Sequence, residues 1–386
     1  MKIPLGKNPL KKEKDYIQLL ETVIYFFLFY IIGVLEVFIF QKILPPKYYY
    51  DANTIKKFVA LTTQIIPFNS YNNIAFFYKV SGFNQNSNLL NAGFYTFTIG
   101  YIFTLIAINL SKIYINKIFL FTIFMWITLL SLYLGQFSKE VSVVVLSTIL
   151  LFFAKNKEKS FLFVALVLIS LYAYYFRIYW FIILYLIFIF YISEKLKGVA
   201  KYLFILGALF IPFIISNYIL QFPLTGARTS VNFGRINSLD AQTIILNPLP
   251  NNIWLLDFLN SLIIFISFII PITILMKLKF KYIISTLFIW INFYILLKSI
   301  QLFKTYKFLI PKQTLRRLKF SIYFIIAFTM TQSIFEPDYG SFLKHQVGIS
   351  PIYVFLFSYY FYLKNFLKGG IYENNTYSRI IWRWCV

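Results

Sequence analysis

Two carboxylates, a lysine and the chain's only histidine fall within ten residues, in the stretch Glu336, Pro337, Asp338, Tyr339, Gly340, Ser341, Phe342, Leu343, Lys344, His345. A carboxylate next to a bound sugar can take the proton of its hydroxyl, and a nearby cation offsets the charge of a departing phosphate. Glu336, Asp338 and His345 are the expected catalytic groups, with Lys344 as a phosphate partner. A solvated loop is the bland account of such a stretch, but this one adjoins a long apolar helix in a chain with only 13 acidic residues.

The arginines form a second constellation. Of 37 basic residues, 30 are lysine and seven arginine. Arg316 and Arg317 belong to a lysine-rich cluster, and Arg379 and Arg383 to the tail. Arg177, Arg228 and Arg235 are the ones that ask for a reason. A guanidinium matches phosphate with a planar fork and stays charged. Arg228 and Arg235 lie seven residues apart on Thr225, Gly226, Ala227, Arg228, Thr229, Ser230 and Gly234, a small-residue segment able to wrap a diphosphate. Asp240 follows on the same loop, where it could orient Arg235. Arg177 alone fits a lipid-headgroup contact equally well. Glu140, beside Lys139, is read first as a cap-region pair, with an orienting role as the alternative. Asp51 is a weaker candidate, and Glu36 is given no role.

These residues sit among serial membrane spans. The chain is 60% hydrophobic with mean hydropathy +0.72, against about 45 to 50% apolar residues in soluble domains. Apolar runs recur from Thr22 to about Tyr362, and roughly 20 residues of helix cross a bilayer. The net charge of +24 comes from lysines punctuating the runs, the pattern of cytoplasmic loops rather than of a nucleic-acid binder. The lone Cys385 excludes an internal disulfide, and a single histidine excludes a His-rich metal cluster. The abundance of Ile, Phe, Tyr, Asn and Lys fits an AT-rich genome, which weakens any argument from aromatic stacking.

The expected architecture is all-α: one polytopic integral membrane domain over residues 1–386, with about 10–12 transmembrane helices. Two large extracytoplasmic loops, about 42–88 and 221–252, are joined by a shorter one at 336–350. The N-terminal lysines precede an apolar run, Thr22 to Phe40, too long for a signal peptide and read as a retained first helix. The positive-inside rule assigns sides consistently as far as Lys201. A helix from Ile253 to Leu275 would then place Lys277, Lys279 and Lys281 inside, and a helix from Tyr282 to Leu297 would leave Lys298 to Lys319 outside. Seven basic residues in that stretch argue for inside, so one of these apolar segments is expected to be re-entrant or to lie along the surface. No internal repeat is visible, which disfavours transporters built from two related halves.

No P-loop, dinucleotide fingerprint, HExxH or GxSxG occurs. The substrate must arrive already activated, and a lipid-linked diphosphate meets that need. The segment Phe335 to His345, with an Arg-bearing loop continuing into Ser238, Leu239, Asp240, Ala241, Gln242, Thr243, resembles the Wzy-type polymerases of bacterial O-antigen and capsular polysaccharide. Where that family carries Arg before the final His, this chain has Lys344, keeping the charge and losing the fork. The resemblance implies a membrane glycosyltransferase of the bacterial cytoplasmic (inner) membrane, without metal or cofactor. It would join undecaprenyl-diphosphate-linked oligosaccharide repeat units at the external leaflet, with membrane lipid and a chain-length regulator as partners. Arg177, Arg228, Arg235 and Lys344 would then hold the diphosphate, and Glu336 or Asp338 would activate the acceptor. The rivals are a flippase or exporter of the same lipid-linked sugars and a polyprenyl-dependent glycosyltransferase adding one sugar.

Overall fold

The computed structural model describes residues 9–236 and 242–373, with side chains described over 20–236 and 242–367. The described residues form sixteen α-helices and no strand, apart from one isolated antiparallel bridge, Ile244 to Asp338. Seven helices are long and apolar enough to cross a bilayer, so the chain is a multi-pass membrane protein, as its composition predicts. A helical ladder satisfies its own backbone polar groups, which is what hydrocarbon demands.

The path is an alternation between two faces. Helix α1 (Pro9–Ile43) rises to what we term the loop face, where a 3₁₀ turn (Pro46–Tyr49), α2 (Tyr50–Leu61) and α3 (Ser70–Val80) form a helical hairpin. The next six helices pass down and up in turn: α4 (Leu89–Asn109), α5 (Lys117–Leu134), α6 (Glu140–Phe153), α7 (Glu158–Tyr175), α8 (Trp180–Ser193) and α9 (Gly198–Tyr218). After α10 (Gly226–Phe233) on the loop face come α11 (Trp254–Ile269), α12 (Ile272–Leu275), α13 (Phe280–Thr305), α14 (Lys312–Phe335), α15 (Tyr339–Gly348) and α16 (Ser350–Glu373). The opposite face is lysine-rich. There Arg316 donates to the Lys155 carbonyl at 3.1 Å, Arg317 to the Leu110 carbonyl at 3.3 Å, and Lys319 pairs with Glu158 and Glu194.

Helix α11 resolves the topological conflict. Near its start Asp257 accepts the backbone N–H of Leu224 at 2.7 Å and of Thr225 at 3.1 Å, both on the loop face. Just past its end, Thr273 bonds the Tyr339 hydroxyl at 3.1 Å, and Lys277 and Lys279 reach Gln242. Both ends therefore lie on the same face. The segment Ile253 to Leu275 is thus the one that does not cross, of the two between which the sequence leaves the choice open, and Lys277, Lys279 and Lys281 belong to the loop face. Only α13 crosses in this region, which carries the larger basic stretch to the lysine-rich face. By path, α1, α4 to α9, α13, α14 and the α15–α16 pair make ten passages.

Two expected loops also prove to be structured. The 42–88 segment is mostly helix and docks on the end of α7: the Phe68 N–H donates to the Tyr174 carbonyl at 2.8 Å, and Asn73 Nδ2 to the Tyr175 carbonyl at 2.5 Å. The 336–350 segment enters the bundle as α15, with Tyr339, Phe342, Leu343, Gln346 and Val347 buried. That spacing of i, i+3, i+4, i+7 and i+8 is one helix face. Lys344 and His345 fall on the other.

Candidate functional site

The first turn of α6 anchors the site. Glu140 there is wholly buried, at a helix N-terminus whose dipole favours a negative charge. Arg177, in the turn between α7 and α8, meets it with both arms of its fork: Nη2 lies 2.5 Å from Oε1 and Nη1 3.3 Å from Oε2. Burial opposes the charge on Arg177, but Glu140 overrides it and holds the guanidinium pKa well above its ordinary value. The expectations of a lipid contact for Arg177 and a local cap pair for Glu140 give way to one buried ion pair between distant segments.

His345 projects from α15 into this pair. Its Nε2 lies 3.5 Å from Glu140 Oε1, and its Nδ1 is hydrogen-bonded to Glu336, which caps the end of α14. Gly348 permits the approach of α15 to α6. A Cβ there would stand 2.7 Å from Val143 Cβ and 3.3 Å from Glu140 Oε2. The result is a continuous row: Arg177, Glu140, His345, Glu336.

Beside the row, Lys344 pairs with Asp51 of α2, which also accepts from the Tyr71 hydroxyl of α3. Lys139 Nζ sits 3.6 Å from the centroid of the Tyr71 ring, a cation–π contact. Burial alone would raise the Asp51 carboxyl, but Lys344 and then Lys139 reverse this and hold it below the usual carboxylate range. Burial is also the main influence on Lys139, bringing its pKa down to about 8. Between about 8 and the ordinary 10.5 the folded chain binds fewer protons than the unfolded one, so stability rises with pH across that window. Below 8 both states are protonated and the cost of burying the charge is complete. Lys139→Met should flatten this rise, measured as thermal unfolding of detergent-purified protein at pH 7 and pH 10; an unchanged slope would assign it to other groups.

Arg235 and Asp338 form a third pairing, at 2.9 Å. The isolated bridge creates it. Ile245 N–H donates to the Pro337 carbonyl at 2.8 Å and Tyr339 N–H to the Thr243 carbonyl at 3.2 Å, lashing the arginine-bearing loop to the acidic segment. Asp338 is fully engaged: it also caps α15, accepting the Ser341 N–H at 2.8 Å and its hydroxyl at 3.2 Å. A carboxylate so occupied is placed to position its neighbours, whereas a catalytic role was expected of it.

Arg228 departs furthest from expectation. Expected as half of a diphosphate fork, it is wholly buried, donating to the Ser333 carbonyl at 2.6 Å and to Asn247. Burial lowers its pKa to about 10, partly offset by Asp257 and Glu336. It braces α10 against α14 and exposes nothing to a ligand. Asp240 lies outside the described residues.

The structure thus gathers Glu140, Arg177, Glu336, His345 and Lys344 into one cluster and adds Asp51, Tyr71 and Lys139. Asp51 could have been singled out as the sole acidic residue of the 42–88 segment. Within the cluster some buried atoms have no hydrogen-bond partner among the described residues: Glu336 Oε2, Gln332 Nε2 and Gln346 Oε1. The two glutamines are joined by a 2.6 Å bond from Gln346 to Gln332. Buried polar atoms are ordinarily satisfied, so these three stand out among the described residues. The opposite face of α15 lines an apolar crevice with Phe268, Phe342, Leu343, Trp126 and Phe288. One short helix therefore separates polar chemistry from an apolar wall.

No protein-family model, curated protein or solved structure matches this chain.

Proposed function

We propose that this chain is a membrane glycosyltransferase that polymerises lipid-linked oligosaccharide repeat units of O-antigen or capsular type. The observation that carries the proposal is the row Arg177, Glu140, His345, Glu336 with Lys344 and Lys139 alongside: a carboxylate–imidazole pair flanked by cations on one face of a membrane bundle. The positive-inside rule supports a cytoplasmic assignment for the lysine-rich face, and on this reading the cluster would lie toward the external side of the bacterial cytoplasmic membrane.

The acceptor hydroxyl would attack the anomeric carbon of the donor repeat unit. A new C–O bond forms as the bond from that carbon to the diphosphate oxygen breaks, and undecaprenyl diphosphate leaves with the electron pair. Glu336, hydrogen-bonded to His345, takes the hydroxyl proton. Arg235, whose side chain is 39% exposed, and Lys344 offset the charge developing on the leaving diphosphate. Arg177 acts through Glu140, keeping the row rigid. The apolar crevice behind α15 suits the isoprenoid carried by such a substrate.

The glycan profile of a deletion strain tests this reading. A polymerase mutant displays single repeat units on its surface, a flippase mutant displays none, and a mutant of unchanged profile would overturn the proposal. Arg235→Ala, with membrane expression verified, should give the same short-unit profile; a normal ladder would remove Arg235 from the mechanism.

A further inference from the structure

We propose that a cleft between α13 and α16 on the lysine-rich face is a binding site for the phosphodiester headgroup of an anionic phospholipid. This inference is independent of the reading of the catalytic cluster, which lies on the opposite face.

The cleft encloses about 420 Å³ and is lined by Tyr294, Lys298, Gln301, Thr305, Tyr306 and Lys364, together with Leu302 and Tyr360. Two ammonium groups and a set of hydroxyl and amide donors converge there, and among the described residues no carboxylate lines it. On the same face Lys319 pairs with Glu158 and Glu194. In the cleft, Lys298 bonds only the Gln301 side chain among the described residues, at 3.3 Å. Lys298 and Lys364 lie 5.8 Å and 5.6 Å from the Tyr294 and Tyr360 ring centroids. The positive-inside rule explains an excess of lysine in cytoplasmic segments. It does not explain two lysines from helices remote in sequence meeting in one concavity.

Depth identifies the ligand. Lys298 is eighteen residues beyond Phe280, about 27 Å along the helix, close to one hydrocarbon thickness from the loop-face end. On α16, Tyr362 meets Lys112 of the lysine-rich face at 3.2 Å, two residues before Lys364. Both cations therefore stand at the headgroup level of the cytoplasmic leaflet. A phosphodiester there meets the two ammoniums and the tyrosine hydroxyls, while its acyl chains run into the bilayer beside Trp290 and Leu287, both exposed on the same flank of α13. Basic pockets between transmembrane helices on this side are suited to anionic lipid headgroups.

The test uses full-length protein purified in detergent, delipidated, and titrated separately with phosphatidylglycerol, phosphatidylcholine and inorganic phosphate, with bound lipid counted by native mass spectrometry. Phosphatidylglycerol should be retained in preference to phosphatidylcholine, and the Lys298→Gln/Lys364→Gln double variant should bind it about thirtyfold more weakly. The Lys298→Arg/Lys364→Arg variant, which keeps both charges, should bind as the parent does. Equal retention of the two lipids, undiminished binding by the glutamine variant, or displacement of the lipid by millimolar inorganic phosphate would each overturn the proposal.

Discussion

Glu336→Gln should stop chain extension almost completely while leaving the protein folded and in the membrane. The amide keeps the shape of the side chain and can still meet His345, but it has no carboxylate to take a proton. Loss of a positioned general base costs about 10² to 10⁴ in rate. Because Glu336 and His345 share one hydrogen bond, they act as a unit, and effects within such a unit are far from additive. His345→Ala should therefore match Glu336→Gln, and the double variant should be little worse than either. The measurement is incorporation of labelled repeat units by purified protein, with the glycan ladder of complemented cells as the second readout. If Glu336→Gln retained more than about a tenth of the parent rate, the proposed base would be wrong.

Glu140→Ala should have the largest effect on stability. It strands a guanidinium that is only 8% exposed, and breaking a buried pair from one side costs about 3 to 5 kcal/mol. Arg177→Ala strands Glu140 in the same way. Removing both charges together, as Glu140→Gln/Arg177→Met, should recover much of the loss, because a buried pair replaced by well-packed neutral groups is often tolerated. Thermal unfolding in detergent measures this. The double variant also separates two roles: if the pair serves only packing, rescue of stability restores turnover, and if it positions His345, turnover stays low in a stable protein. A single Glu140→Ala variant as stable as the parent would mean that the pair does not hold the bundle together.

Hydropathy made the membrane class and the approximate number of passages legible, because length and apolarity are the properties a bilayer selects. With the basic residues it showed that one of two apolar segments does not cross but not which, since a run that turns back looks the same as one that crosses. What differs is Asp257 and Asn260, buried polar residues whose partners in the 224–249 loop lie at the same face. The burial spacing of Tyr339, Phe342, Leu343, Gln346 and Val347 was present in the sequence, yet the charged residues among them gave the segment the look of a solvated loop. The site was legible as a set of residue types and illegible as a set of pairs. Rarity singled out Arg177, Glu336 and His345, but nothing local links Glu140 to Arg177 across 37 positions or Asp51 to Lys344 across 293. Arg228 shows the converse failure. A guanidinium on a small-residue loop looks available for phosphate until a backbone carbonyl on another helix, that of Ser333, claims it.

The two cations assigned to the leaving diphosphate, Lys344 and Arg235, already hold carboxylates, Asp51 and Asp338. On the proposed mechanism a diphosphate enters by exchange: it takes each cation over from an internal anion, and the cost of parting those pairs is subtracted from its affinity. When the spent carrier departs, the same aspartates move back in without waiting for counter-ions from solution. The resting protein thus competes with its own product, a built-in bias toward release that favours rapid cycling over tight grip.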